Sequence, residues 1–476
     1  MLFNSFTFAV FLPVVLALFF IVPGRGRSAL LIVASYTFYC WETPVYGLLL
    51  LASTLLDYTV GRCMGRTEDT RPRRWLLACS LVGNLSMLGF FKYVDFLGEN
   101  VVGLGRLLGF EGSWQAFDFI LPVGISFYTF QTMSYTIQVY RRECPVEHDV
   151  LAFALYVSFF PQLVAGPIER ASHLLPHLKN WRPVRADDVR IGLERIIAGL
   201  FMKLVIADRL AILVDLVFSN PGHYPVFTIW VSALCFSGQI YMDFAGYASI
   251  AIGTARLFGV QIVENFNYPM AARSSGDFWA RWHMTLTSWF RDYLFTPLGG
   301  FRRGGLRAAV NGAIVLMLCG FWHGAEWHFV AWGAFHAILM ICYYAYRTLK
   351  RRFRTGARKK PSTGIRVLPW VVFTLWLNTI SAVFFRASTL GDAWEILATM
   401  FCLSAAPDTP VEWYVWVFLA IVGALFAYDF VSAHLNAGER WRRLPWYIRS
   451  LGYALLAGLT VLGAVNFEAP YIYFRF

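Results

Sequence analysis

Eleven apolar runs limit what this chain can fold into. They occupy residues 6–22, 28–60, 75–91, 117–138, 196–218, 225–257, 308–322, 329–346, 367–385, 413–430 and 450–466. A helix that crosses a lipid bilayer needs about 20 apolar residues. Some runs fit one crossing, the longest have room for two short ones, and others are too short to span comfortably. The pattern predicts roughly ten to twelve transmembrane helices plus re-entrant pieces.

Composition excludes a soluble globular protein. Hydrophobic residues make up 58% of the 476 residues and charged residues only 15%, whereas soluble proteins average roughly 45–50% and about 25%. The excess apolar surface must face lipid. We therefore predict an all-α integral membrane protein, organised as one domain over 1–476, with a core near 117–390 and a C-terminal helix and tail at 450–476. The first run lacks a basic flank and a small-residue cleavage site, so we expect a retained helix rather than a signal peptide.

The net charge of +12 is concentrated in four basic clusters, at 62–74, 302–307, 347–360 and 439–449. A nucleic-acid-binding protein would place such clusters on one soluble face with aromatic residues between them. Short loops between membrane helices explain them better, because Lys and Arg in such loops stay cytoplasmic. We expect a membrane-lipid environment and no nucleic-acid partner.

The segment GFWHGAEWHFVAWGAFH, 320–336, carries three histidines among Trp, Phe, Ala and Gly. On one continuous helix, spacings of five and thirteen residues would point the rings of His323, His328 and His336 in different directions. No carboxylate lies at ligand spacing, so we predict no metal site. For His328 and His336 we expect core or interfacial histidines bonded to backbone carbonyls.

His323 differs from the other two because it ends an apolar run and precedes Gly324. An ionisable group at membrane depth is costly and is a functional candidate by default. Imidazole can also act as a general base near neutral pH. The residues alone leave a catalytic and a structural interpretation of His323 open.

A second polar segment, 264–300, reads ENFNYPMAARSSGDFWARWHMTLTSWFRDYLFTPLGG. As one helix from Ser275 onward, with Ser274 or Ser275 as its cap, it would have an aromatic side and a polar side. Asp277 and Arg281 on the polar side have the spacing of an ion pair, and His283 projects from the flank. The stripe favours an amphipathic helix at the membrane surface. A polar cavity wall that faces His323 is the alternative.

Three other apolar stretches contain polar residues or helix breakers. Lys203 and Asp208 lie in 201–210, and Asp243 lies in 237–253. Buried charges are usually paired for structural reasons. The two prolines and the glycine of 161–170 predict a re-entrant or broken helix whose freed backbone groups line a cavity.

These segments together resemble a known family. LPVGISFYTFQTMSY (121–135), FPQLVAGPIER (160–170), QIYMDFAGYASIAIG (239–253), ENFNYPMAARSSGDFWARWHMTLTSWFRDY (264–293) and GFWHGA (320–325) occur in the order typical of the membrane-bound O-acyltransferase family. The set is similar to the bacterial branch that contains the alginate O-acetylation membrane protein, and the resemblance runs nearly from end to end. Ala245 stands where we would expect Ser.

The resemblance implies a ring of about ten to twelve helices, with re-entrant and interfacial helices, around a thin partition pierced by a central funnel. It matches His323 to the motif histidine of WHG, and His283 to a second motif position that is Asn or Asp in other branches. An acyl thioester would enter from the cytoplasm, and the acyl group would leave on the other side.

The implied activity is O-acetylation of a cell-surface or exported polysaccharide, such as alginate, cellulose or peptidoglycan, from the inner membrane. Acetyl-CoA would be the donor, no cofactor would stay bound, and a periplasmic or membrane-anchored SGNH-type acetyltransferase would be the partner. His323 can be the base, and His283 or a nearby hydroxyl or arginine can stabilise the oxyanion. Arg302, Arg303 and Lys203 are candidate contacts for the phosphates of coenzyme A.

The C-terminal tail, NFEAPYIYFRF, has two interpretations. The basic cluster at 439–449 should hold the start of run 450–466 in the cytoplasm, which places the tail outside. An aromatic end is typical of an interfacial belt. It also resembles the FxYxxF-like end of a small peptide in teichoic-acid D-alanylation, and Tyr473 would then relay the acyl group and lie near His323.

Two alternatives belong to other functional classes. A transporter or flippase would use the buried polar residues as a substrate path and would release no coenzyme A from acetyl-CoA. A scaffold for other synthesis enzymes would tolerate His323→Ala.

Overall fold

A computed structural model describes residues 1–117, 121–302, 304–353, 364–404, 409–435, 437–464 and 469–472, and these residues form helices and no strand. The all-α prediction is confirmed. The first ten helices are α1 (Phe6–Ile21), α2 (Arg25–Tyr39), α3 (Tyr46–Met64), α4 (Thr70–Lys92), α5 (Val94–Leu107), α6 (Ile125–Tyr140), α7 (Val150–Ser158), α8 (Phe160–Leu163), α9 (Ala171–Lys179) and α10 (Ala186–Phe201).

The remaining helices follow after a π-helical segment, Met202–Ala207. They are α11 (Asp208–Phe218), α12 (Val226–Leu257), α13 (Ser275–Trp279), α14 (Met284–Phe290), α15 (Gly305–His323), α16 (Trp327–Arg352), α17 (Leu368–Arg386), α18 (Leu390–Met400), α19 (Trp413–His434), α20 (Ala437–Arg443) and α21 (Trp446–Gly463).

The described helices pack as two compact units. The first contains Met1–Gly199, Tyr247–Val263 and the described part of Phe467–Arg475, and the second contains Leu200–Gly246 and the described part of Glu264–Asn466. One boundary between them falls inside α12, at Gly246. This division does not test whether the chain forms one membrane domain, so that statement stays a prediction.

Among the described residues, five segments of at least 18 residues are apolar enough to cross a membrane: Thr70–Lys92, Gly305–His323, Trp327–Lys350, Gly364–Arg386 and Trp413–His434. The helix Phe6–Ile21 is apolar but shorter. Membrane crossing is therefore supported by length and composition, whereas the count of ten to twelve crossings stays a prediction.

A buried polar network joins α3, α4 and α6 in the first unit. The carboxylate of Asp57 accepts hydrogen bonds from Ser80 Oγ and from Asn84 Nδ2, at 2.5 and 2.8 Å. Ser53 donates in turn to Asn84 Oδ1 at 2.8 Å, and Thr136 lies 2.9 Å from Ser80. All five side chains are buried. Because each polar group has a partner, the network joins three apolar helices without leaving a buried group unsatisfied.

The predicted break near 160 is present. Helix α7 ends at Ser158, a short helix α8 begins at Phe160, and the chain stays buried through Glu169. The carbonyl of Tyr156 accepts from Gln131 Nε2 at 2.6 Å, and the amide of Phe160 donates to Ser35 Oγ at 3.1 Å. Side chains from other helices therefore satisfy these freed backbone groups.

Candidate active site

The predicted histidine stretch is split between two helices. Helix α15 ends at His323, and its C-cap, Gly324, is extended, with φ −158° and ψ 147°. Helix α16 begins at Trp327 after Glu326, which is also extended. His323 therefore stands at a helix end, beside a sharp change in chain direction, and the three histidines do not belong to one helix.

Glycines allow α15 and α16 to approach each other closely. A Cβ atom at Gly320 would lie 2.3 Å from the carbonyl oxygen of Phe329, and one at Gly333 would lie 2.7 Å from that of Leu316. These separations are far below ordinary contact distances, so only glycine fits at this crossing. The crossing fixes the end of α15 and with it the position of His323.

Aromatic rings surround His323, which is only 4% exposed. Its ring centroid lies 4.8 Å from that of Trp322, 5.2 Å from Trp332 and 5.1 Å from Phe385, all in tilted or edge-on arrangements. Such packing excludes water and limits the rotation of the imidazole. It is the environment in which a general base can be held in one orientation.

The segment that carries His283 is not one amphipathic helix, and that prediction is wrong. Helix α13 ends at Trp279, helix α14 begins at Met284, and a π-helical segment follows at Arg291–Phe295. The break occurs because His283 adopts the left-handed conformation, with φ +41°. This conformation is uncommon for a residue other than glycine, and such strain is found mostly at functional sites.

Hydrogen bonds accepted by Asn265 hold His283 in this conformation. The amide of Met284 donates to the carbonyl of Asn265 at 2.9 Å. The side-chain oxygen of Asn265 accepts from the backbone amide and the hydroxyl of Thr285, and it lies 3.0 Å from His283 Nδ1. Because this oxygen is an acceptor, Nδ1 carries the proton and Nε2 is the acceptor atom of the ring.

His283 is fully buried and packs edge-on against Phe244, with centroids 4.7 Å apart. Burial lowers its pKa to about 3, so the imidazole is neutral at physiological pH. Its ring also lies 6.4 Å from that of Trp322, the residue that precedes His323 in α15. The segment that carries His283 therefore contacts the end of α15 next to His323, within the second unit.

The predicted ion pair in this segment is present. Arg281 Nε lies 2.9 Å from the carboxylate of Asp277, and Ser274 caps α13 through the amide of Asp277. Arg281 also donates to the carbonyl of Asn267, whose own amide donates to the carbonyl of Arg281. These bonds close the polypeptide between Asn267 and Arg281 into a loop next to His283, and a mainly structural role of the pair stays a prediction.

Two other histidines of the stretch have fixed partners. His328 Nδ1 donates to the carbonyl of Phe384 at 2.8 Å, which confirms the expected backbone bond. His336 is bonded instead to the hydroxyl of Ser381, at 3.2 Å. The expectation of a backbone carbonyl was wrong there, because the turn of α17 places a serine hydroxyl opposite the ring.

The candidate residues for binding the phosphates of coenzyme A differ in burial and in their partners. Lys203 is 2% exposed and pairs with Asp243 at 2.7 Å and with Asp208 at 2.9 Å. An ammonium held by two carboxylates fits a structural role better than the predicted contact with coenzyme A. Arg302 is exposed, whereas Arg303 and Tyr473 lie outside the described residues.

Sequence reasoning missed Asn265, which orients His283. Its signal was present in the quoted string ENFNYP, where a buried amide residue follows the apolar run of α12. The partners are 18 residues apart, so neither helical nor strand periodicity connects them.

Comparison with known proteins agrees with this geometry. Residues 141–385, which include both histidines and Asn265, match the profile of MBOAT, the membrane-bound O-acyltransferase family. The chain belongs to this family. It is therefore an integral membrane acyltransferase, and membership argues against the transporter and scaffold alternatives.

Relatives within the family have related but distinct names. The chain is 37% identical over 404 residues to the probable alginate O-acetylase AlgI of Azotobacter vinelandii, covering 84% of this chain and 77% of that protein. It is 34% identical over 433 residues to the peptidoglycan O-acetyltransferase of Helicobacter pylori, covering 84% and 80%. The teichoic acid D-alanyltransferase of Bacillus subtilis is 29% identical over 247 residues, covering 49% and 61%.

Proposed function

We propose that this chain takes acetyl groups from cytoplasmic acetyl-CoA and passes them across the inner membrane for O-acetylation of an exported or cell-surface polysaccharide. Relatives named for alginate and peptidoglycan O-acetylation support the substrate class. The basic clusters between apolar runs support a cytoplasmic entry for an anionic donor. A periplasmic or membrane-anchored SGNH-type acetyltransferase is the proposed recipient.

The observation that carries the proposal is that two buried histidines, His283 and His323, both contact the ring of Trp322. In the proposed reaction, His323 removes the proton from an attacking hydroxyl, and the hydroxyl oxygen bonds to the thioester carbonyl carbon. The tetrahedral intermediate then collapses, the carbon–sulfur bond breaks, and the thiolate takes the proton from the imidazolium of His323. The ester and free coenzyme A are the products, and no other reactant is needed.

The proposed role of His283 differs from the oxyanion stabilisation that the sequence suggested. With its proton on Nδ1 toward Asn265, the neutral ring offers Nε2 as an acceptor and has no second proton with which to stabilise an oxyanion. We assign it to positioning the acetyl acceptor beside His323, because the one proton of the attacking hydroxyl goes to His323. The oxyanion donor is left to a backbone amide or another side chain.

Entry of the donor would use the exposed Arg302 as one phosphate contact, together with Arg303. Lys203 is left out of this contact because two carboxylates hold its ammonium group.

The tail supplies a candidate acceptor for the first transfer. A phenol has the hydroxyl that an O-acyl relay needs, and with an ordinary pKa near 10 it requires a base such as His323. Tyr473→Phe keeps the ring and deletes this nucleophile. We expect it to block acetylation of polymer while protein yield and melting temperature stay unchanged. Normal acetylation by this variant, or a cytoplasmic location of the tail, would reduce the tail to an aromatic anchor.

The test of the function is thiol release. Purified wild-type protein in nanodiscs, given acetyl-CoA and an acceptor hydroxyl, should release free coenzyme A at a rate well above the uncatalysed background. A transporter would release none. The absence of thiol release from folded protein with any polysaccharide-related acceptor would contradict the proposed donor.

A further inference from the structure

A carboxylate outside the matched region contacts the loop that carries His283. We propose that Asp429, on α19, is a positioning residue that fixes this loop for acyl transfer. The inference rests on the proposed function, because it assumes that His283 acts on the acetyl acceptor. Asp429 lies beyond the end of the family match at residue 385.

The side chain of Asp429 is fully buried and makes two hydrogen bonds. One carboxylate oxygen accepts from the backbone amide of Met270 at 3.1 Å. The other accepts from the hydroxyl of Tyr241, also at 3.1 Å. A buried carboxylate needs such donors, and each bond fixes the group that donates it.

A second contact from α19 acts on the same turn. His434 Nε2 donates to the carbonyl of Ala271 at 2.9 Å. Met270 and Ala271 belong to a short 3₁₀ turn, Pro269–Ala271, between Asn265 and α13. Helix α19 therefore holds an amide and a carbonyl of this turn.

The two contacts of Asp429 lead to His283 by separate routes. The turn at Pro269–Ala271 lies within the loop whose ends are joined by the bond from the amide of Asn267 to the carbonyl of Arg281, at 2.9 Å. The ring of Tyr241 packs against Trp282, next to His283, and against Phe266, next to Asn265, at 6.2 and 5.8 Å. Release of Asp429 would therefore loosen both residues that flank the Asn265–His283 bond.

The proposal predicts that the hydrogen bonds of Asp429 are required and that its negative charge is not. Asp429→Asn can present its carbonyl oxygen to the amide of Met270 and its NH₂ group to the oxygen of Tyr241, which can accept. Asp429→Leu keeps the number and branching of the side-chain heavy atoms, although its methyl groups are larger than the oxygens, and it leaves both donors without a partner. Tyr241→Phe removes only one of the two bonds. A positioning role predicts graded effects in this series, whereas a role in chemistry would require the charge.

The test measures kcat and KM for acetyl-CoA together with amide hydrogen exchange of the peptide that contains Met270. We expect Asp429→Leu to lower kcat at least tenfold, to leave KM within threefold, and to speed exchange at Met270 at least tenfold. Asp429→Asn should stay within threefold of wild type in kcat, in KM and in the exchange rate at Met270. Tyr241→Phe should give values between those of Asp429→Asn and Asp429→Leu. Glu395→Leu, which removes an exposed carboxylate of α18, is the matched control and should match wild type.

Three results would overturn the proposal: wild-type kcat in Asp429→Leu, equal loss of kcat in the Leu and Asn variants, or unchanged exchange at Met270. If Asp429→Leu does not fold, Tyr241→Phe decides, because it must still lower kcat and speed exchange. Exchange at Met270 is independent of activity. Failure of the proposed function would therefore show as inactive wild-type protein with the exchange pattern intact.

Discussion

Two regions of this protein bury polar side chains among apolar ones, and they do so in different ways. The network around Asp57 joins α3, α4 and α6 through hydroxyl and amide partners. The region around Trp322 packs the imidazole of His323 among aromatic rings, and His283 combines aromatic neighbours with its bond to Asn265. Hydrogen bonds between helices fix the fold, whereas aromatic rings hold the imidazole in one orientation, as the proposed proton transfer requires. The difference indicates that buried polarity in a membrane protein has to be judged by its partners.

The largest effect on folding is expected at the network. Asp57→Ala leaves Ser80 and Asn84 without their buried acceptor, and such losses cost about 1–3 kcal/mol. We expect a lower yield and melting temperature, with kcat of the folded fraction within twofold of wild type. Asp57→Asn, which keeps one acceptor oxygen, is the control. Its yield and melting temperature should lie between those of wild type and Asp57→Ala. A fully stable Asp57→Ala protein with impaired kcat would place the network in the reaction and break the comparison.

A smaller effect, on rate, is expected at Asn265. Asn265→Ala removes the acceptor that orients His283, and a hydrogen bond contributes about 0.5–1.5 kcal/mol net, or about 2- to 12-fold in kcat. Thr285→Val removes a hydroxyl from the same oxygen but leaves the bond to His283, so it should stay within about twofold. Steady-state kinetics with acetyl-CoA measure both. If Thr285→Val lowered kcat more than Asn265→Ala does, the bond between Asn265 and His283 would not be what sets the rate.

The smallest effect concerns pH. Burial lowers the pKa of His283 to about 3, below the ordinary value near 6.5, so the unfolded chain binds the proton more tightly. The free energy of unfolding is therefore unaffected by this titration well above pH 6.5, and it decreases as the pH falls below that value. Between pH 7 and pH 6 the free energy of unfolding should drop by about 0.7 kcal/mol. Thermal melts of His283→Gln should lack this part of the slope, and an unchanged slope would show that His283 titrates normally.

Sequence alone anticipated the helical membrane class and the break near residue 160, and it singled out both histidines, whose catalytic roles stay predictions. Apolar runs and the quoted motifs are local signals, so they can be read along the chain. The turn at His283 could not be predicted, because a left-handed histidine is stabilised by Asn265, 18 residues away. The Asp57 network was missed for a similar reason, since its partners lie 23 and 27 residues from it and share no periodicity.

Asp429 shows the same limit at longer range. Its partner Met270 is 159 residues away, and a single carboxylate in an apolar run does not indicate which loop it contacts. Lys203 shows the same limit for a cation. A cation near a polar stretch suggested a phosphate contact, whereas the structure pairs it with Asp208 and Asp243.

The central claim is that the imidazole of His323 performs proton transfer in acyl transfer. The most direct measurement is the single-turnover rate of coenzyme A release by His323→Ala, compared with His328→Gln, which changes a histidine of the same segment but keeps a donor for the carbonyl of Phe384. We predict a loss of about 10²–10⁴-fold for His323→Ala with normal protein level and membrane insertion, and a rate within threefold of wild type for His328→Gln. A folded His323→Ala protein that releases coenzyme A at the wild-type rate would contradict the account.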